Sequence, residues 1–61
     1  MEEKRLLNIV EFSAYAGGIG RNNAFKLART SGARIQIGRR VFVDRIRFDD
    51  WLDRQSSVND N

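Results

Sequence analysis

The hydrophobic positions of this chain change period twice along its length. Ile9, Phe12 and Ala16 recur at the spacing of one helical face, and Ala24, Leu27 and Ala28 form a second such stripe with Phe25 at its edge. Ile35 and Ile37 then alternate with Arg34 and Gln36, as on a strand, before Phe48, Trp51, Leu52 and Gln55 return to i, i+3, i+4, i+7. The pattern predicts an α+β domain in the order helix, helix, two-stranded hairpin, helix.

Capping and turn residues fall at the same boundaries. Asn8 followed by Glu11 has the form of a capping box, with Leu7 and Phe12 placed for the accompanying hydrophobic staple. A first helix therefore starts at about Ile9 and ends at Gly17 and Gly18. Only Gly17 to Gly20 separate it from a second helix over Arg21 to Thr30, closed by Ser31 and Gly32, which makes a tight helix-turn-helix. Val41, Phe42 and Val43 are strong strand formers, and Gly38 with Arg39 and Arg40 supplies the hairpin tip. A two-residue turn beginning at Gly38 sets Ile35 opposite Phe42, whereas a four-residue loop shifts the pairing.

Asp44 is placed to cap a last helix over Arg45 to Gln55, on which Asp50 and Arg54 form an i, i+4 pair. Residues 1–5 and the tail Ser56 to Asn61 carry no packing signal and are expected to fray. The elements are expected to share one core of Phe12, Ala16, Leu27, Ile35, Phe42, Phe48, Trp51 and Leu52. Truncating Trp51 in such a core is predicted to cost roughly 3–5 kcal/mol.

At 61 residues the expectation is one domain spanning 1–61, with an ordered core of about 6–55. The absence of cysteine and histidine removes thiolate chemistry, Cys-based zinc sites and imidazole general bases, so no catalytic residue, metal ligand or cofactor is assigned and no enzyme is expected. Gly17, Gly18 and Gly20 have the look of a phosphate-binding loop, but no lysine with a following Ser or Thr completes it. Asp49 and Asp53 share a helix face without a third ligand and read as helix solubility. Tyr15 and Phe25 have rings suited to stacking on bases, although packing is the better use of aromatics in so small a chain. No apolar run exceeds three residues and no leader-like segment is seen, so the expectation is a soluble cytoplasmic protein without a membrane partner.

Charge adds the sharpest feature. Nine of the eleven basic residues are arginine, and they are not evenly spread. From Arg21 to Arg47 there are eight bases (Arg21, Lys26, Arg29, Arg34, Arg39, Arg40, Arg45, Arg47) against Asp44 alone, or +7, while residues 48–61 sum to −3. Such a block is the electrostatic footprint of a polyanion binder, or else a solvated surface kept for solubility. A duplex major groove admits a helix or a two-stranded ribbon, and both elements lie within this block. On the second helix Arg21, Asn22 and Asn23, followed by Lys26, are positioned to read bases, with Lys26 and Arg29 better suited to phosphates. The alternative for the two asparagines is capping of first-turn amides. Gly38, Arg39 and Arg40 have the chemistry of a wing entering a minor groove, or of solvated charges at a turn. Arg34, Arg45 and Arg47 are further candidates for phosphate contact.

The run Glu11 to Gly17, then Ile19-Gly20-Arg21-Asn22-Asn23-Ala24-Phe25-Lys26-Leu27, then Ile35 to Asp44 around Gly38-Arg39-Arg40, then Phe48-Asp49-Asp50-Trp51-Leu52 resembles the excisionase family of small DNA-binding proteins. The similarity covers about residues 7 to 53. It implies a winged helix-turn-helix fold related to the DNA-binding domains of mercury-resistance-type regulators, encoded by bacteria or phages and associated with the nucleoid. It implies further a protein that binds and bends attachment-site DNA and directs a partner integrase of the tyrosine recombinase class toward excision of a mobile element, with self-association on DNA. On that pattern recognition falls on Arg21, Asn22, Asn23 and Lys26 and the wing contact on Gly38, Arg39 and Arg40. Departures from the family's usual pattern are the extra Gly18, Gly20 and Asn23 where hydroxyl residues are common, and Asp44 where proline is common. A repressor of a mobile element using the same surface, and a protein-interaction module without DNA binding, are the alternative readings.

Overall fold

The computed structural model describes the backbone of residues 4–58 and the side chains of residues 4–55. The sequence readings on residues 1–3 and 59–61 lie outside them. Strand β1 (Leu6–Leu7) leads into helix α1 (Ile9–Tyr15), then helix α2 (Arg21–Ser31), strands β2 (Arg34–Ile37) and β3 (Arg40–Asp44), and helix α3 (Arg45–Val58). Among the described residues three helices and a three-stranded antiparallel sheet of order β1-β3-β2 make a small α+β domain.

Local chemistry explains most boundaries. The Asn8 side chain accepts from the Glu11 amide at 2.7 Å while the Glu11 carboxylate accepts from the Asn8 amide at 3.0 Å, so both halves of the capping box form. α2 ends on Gly32 at φ 74°, and the Ala33 amide reaches back to the Ala28 carbonyl at 3.2 Å, the closing bond of a Schellman motif. In the hairpin Ile37 pairs with Arg40 and Ile35 with Phe42, so the turn is the two-residue one. Gly38 at φ 62°, with no positive φ at Arg39, has the signature of a type II′ turn, which matches the twist of the flanking strands.

Leu7, Ile9, Phe12, Ala24, Ala28, Ala33, Val43 and Phe48 form the buried core, and Ala16, Leu27 and Trp51 pack partly against it. Phe12 meets Phe48 edge-on with ring centroids 4.9 Å apart, and Phe48 in turn stacks on Trp51 at 6.0 Å. Three expected core residues lie elsewhere. Val41 and Val43 face the helices, so strand alternation turns Phe42 and its ladder partner Ile35 to the opposite side of the sheet. Leu52 is 48% exposed, while its neighbour Trp51 packs against the core. An open apolar groove of about 630 Å³ remains there, bordered by Tyr15, Leu27, Trp51 and Leu52.

The chain also departs from expectation at both ends. Leu6 and Leu7, where no strand was expected, pair with Asp44 and Val43 and add the third strand. The Arg5 guanidinium holds the Asp44 carboxylate by two bonds of 3.0 Å each. Asp44 caps α3 as expected, accepting from the Ile46 amide at 3.1 Å, and α3 continues three residues beyond Gln55 to Val58. Among the described residues no helix is long and apolar enough to cross a membrane.

Candidate nucleic-acid interface

α2 owes its orientation to the turn before it. Gly20 sits at φ 89° and ψ 162°, a backbone region closed to side-chain-bearing residues, and its amide donates to the Ser13 hydroxyl at 3.0 Å. The start of α2 is thereby pinned to α1. Ala24 and Ala28 are fully buried, which lets the helix lie close on the core and presents the opposite side to solvent.

On that outer side Asn22, Lys26 and Arg29 stand at i, i+4 and i+7, one stripe along the helix, and all three are exposed. Arg21 and Asn23 fall to either side of the stripe. Arg21 leans toward the hairpin, its guanidinium 5.9 Å from the centre of the Phe25 ring. Asn23 donates its side-chain amide to the Ile19 carbonyl at 3.0 Å and so braces the turn rather than capping a first-turn amide. Asn22 makes no such bond among the described residues.

The hairpin arginines, adjacent in sequence, diverge in space. Arg39 occupies the turn and lines a notch with Val41 on the side facing α2. Arg40 shares the face of Phe42, two residues on, and points away from it. Behind the tip, Gln36 accepts from Arg34 at 3.4 Å and donates to the Gly38 carbonyl at 3.2 Å, which ties the turn to its strand.

Charge pairing divides the molecule in two. Arg5 binds Asp44, Lys4 binds Glu11, Arg54 binds Asp50, Arg45 reaches Asp49 at 3.4 Å and Arg47 reaches Asp44 at 3.9 Å. Arg21, Lys26, Arg29, Arg34, Arg39 and Arg40 have no carboxylate partner among the described residues. All six are exposed. Arg45 and Arg47, named above with Arg34 as phosphate candidates, therefore differ from it. Arg45 has only 20% of its side chain exposed and also donates to the Lys4 carbonyl at 3.0 Å, while Arg47 remains exposed beside the buried Asp44.

Asp44 both caps α3 and holds the Arg5 guanidinium. Arg5 first, and the Ile46 and Arg47 amides with it, hold its carboxyl below the usual carboxylate range against the opposing effect of burial. Glu11 is likewise held low by Lys4 and the Asn8 amide. Tyr15 donates its hydroxyl to Asp49 at 2.5 Å, which raises its pKa and assigns Asp49 a structural partner in addition to Arg45. At 44% exposed, Tyr15 is an anchor between α1 and α3 more than a core residue, whereas Phe25 is half-buried against the core. Among the described residues no group of three or more acidic side chains is arranged to hold a metal ion.

Comparison of the chain with family models, with curated proteins and with solved structures finds no match in any of the three.

Proposed function

We propose that this is a double-stranded DNA-binding protein of winged-helix type, in which α2 enters a major groove and the β2–β3 hairpin grips the neighbouring minor groove. One observation carries the reading: six exposed cations on these two elements lack carboxylate partners, while every described basic side chain outside residues 21–40 has one. Unpaired guanidiniums keep their full field for a polyanion and release condensed counterions on binding it. The stripe of Asn22, Lys26 and Arg29 supplies an adenine-reading amide flanked by phosphate-seeking cations. Arg40 suits the minor groove as the outward guanidinium of the hairpin.

The resemblance to excisionases extends the proposal to a role on attachment-site DNA beside a tyrosine recombinase. That role is carried by the motif blocks quoted from the sequence, and an excision assay on an attachment-site substrate, with and without the protein, tests it separately. DNA binding itself is tested by titrating a fluorescent duplex over a series of salt concentrations. Log affinity is expected to fall linearly with log salt, with a slope approaching about −5 if all six cations meet phosphates at about 0.9 each. A flat response overturns the reading.

A further inference from the structure

An open notch of about 330 Å³ lies where the first turns of α1 and α2 meet the hairpin. It is lined by the apolar residues Ile9, Val10, Phe25 and Val41 and by the polar residues Asn8, Arg21 and Arg39, the Asn8 side chain being already engaged by the Glu11 amide. Val10 contributes the most exposed large apolar side chain described, at 70%. Arg21 lies over the Phe25 ring, and neither arginine has a carboxylate partner among the described residues. Two uncompensated cations from separate elements thus border one apolar strip.

That combination selects its ligand chemistry. A single anion bridged between the guanidiniums relieves their mutual repulsion, and an apolar group of sugar size beside it covers Val10 and Phe25 without leaving a polar atom unpaired. Phosphate joined to deoxyribose is such a ligand. The topology agrees: a strand that leaves the major groove held by α2 for the minor groove held by the hairpin has to pass between those two elements, where the notch lies. We propose that the notch seats one phosphodiester of a DNA strand, with Arg21 and Arg39 on the phosphate and the adjoining deoxyribose against Val10 and Phe25. This rests on the DNA-binding reading above and adds to it a single defined backbone position shared by helix and hairpin. It also supplies a discrimination, since a ribose 2′-hydroxyl against Val10 and Phe25 loses its water without gaining a partner.

The test uses a duplex recovered from a random-sequence pool by selection with the full chain, scanned one phosphate at a time with neutral methylphosphonates. One position is expected at which neutralisation weakens the wild-type complex by about tenfold or more, the size of one lost charge-assisted contact. At that same position the penalty is expected to shrink to about twofold or less in both Arg21→Gln and Arg39→Gln, whose exposed sites leave the fold intact. A ribonucleotide at the adjoining sugar is expected to weaken wild type more than one placed elsewhere, and Val10→Ser is expected to reduce that difference. If the two arginines couple to different phosphates, or to none while duplex binding persists, the notch is refuted and the DNA reading stands. If inorganic phosphate displaces the duplex beyond the effect of chloride at matched ionic strength, the site is a general anion site and the sugar contact is refuted. Recovery of no duplex at all removes both.

Discussion

The flanks and the centre of this chain use the same side chains in opposite ways. In residues 4–11 and 44–54 every described cation closes on a carboxylate, and those contacts fasten β1 to β3, cap helices and brace α3 along its length. In residues 21–40 six cations stand unpaired on a helix and a hairpin that are positioned by alanine packing and glycine turns instead of charge. The difference shows that net charge conceals the distribution: the pattern of pairing separates charges that hold the fold from charges that no carboxylate among the described residues compensates, and the proposed DNA-binding function rests on the second set.

The comparison can be broken most severely from below, through the core that both regions share. Phe12→Ala, at a site with no exposure, is expected to lose roughly 3–5 kcal/mol in denaturant titration and to leave little folded protein in so small a chain. Trp51→Ala, expected from the sequence to cost as much, is half-buried and should cost less.

Next in size is the separation of the two regions themselves. Arg39→Ala together with Arg40→Ala is expected to weaken binding to all duplexes and to lower the salt slope by about 2, while unfolding shifts by no more than about 0.5 kcal/mol. Asp44→Ala is the reciprocal change. It removes a helix cap and the partner of Arg5, so a loss of about 2 kcal/mol of stability is expected, with duplex affinity unchanged once the folded fraction is accounted for. If either variant produced the other's phenotype, the division would fail.

Finer tests sharpen it. Asn22→Ala is expected to relax preference at one base pair by about 1–3 kcal/mol in competition binding without changing affinity for unrelated duplexes, whereas Asn23→Ala, at the residue that braces the turn, should not alter base preference. Acid should act on the flanks first. Asp44 and Glu11 are held low in the folded chain, so their contribution is complete above the ordinary carboxylate range near pH 4 and disappears as pH falls through their depressed values. A circular-dichroism titration is expected to show stability falling below about pH 4, less steeply in Asp44→Asn. Smallest of all, Arg54→Ala breaks an exposed pair with Asp50 and should stay within about 0.5 kcal/mol of wild type.

What the sequence disclosed and what it concealed differ in range. The capping box at Asn8, the glycine stop at Gly32 and the turn at Gly38 depend on neighbours a few residues away, and all three are present in the fold. β1 was hidden because two residues are too few to show alternation and its partners lie at the far end of β3. The inward side of Val41-Phe42-Val43 was equally hidden, since three apolar residues in a row leave strand parity undetermined, and the larger ring proved to face away from the helices. For the candidate interface, composition marked the segment. It could not mark which cations have partners across the fold, that Arg39 and Arg40 part company, or that Val10 on α1 borders the same notch as Arg21.

The minimal loop at Gly38 and Arg39 has a mechanical corollary. Because the ribbon reverses in two residues, its tip has no slack, and how far it projects is set by the four residues of β2 and five of β3 at about 3.4 Å per step. Lengthening both strands by one residue should carry the tip outward one step and swap which arginine looks toward the helix; lengthening by two should restore that handedness at greater depth. The protein's reach is therefore adjustable only in discrete increments, and every second increment preserves its chemistry.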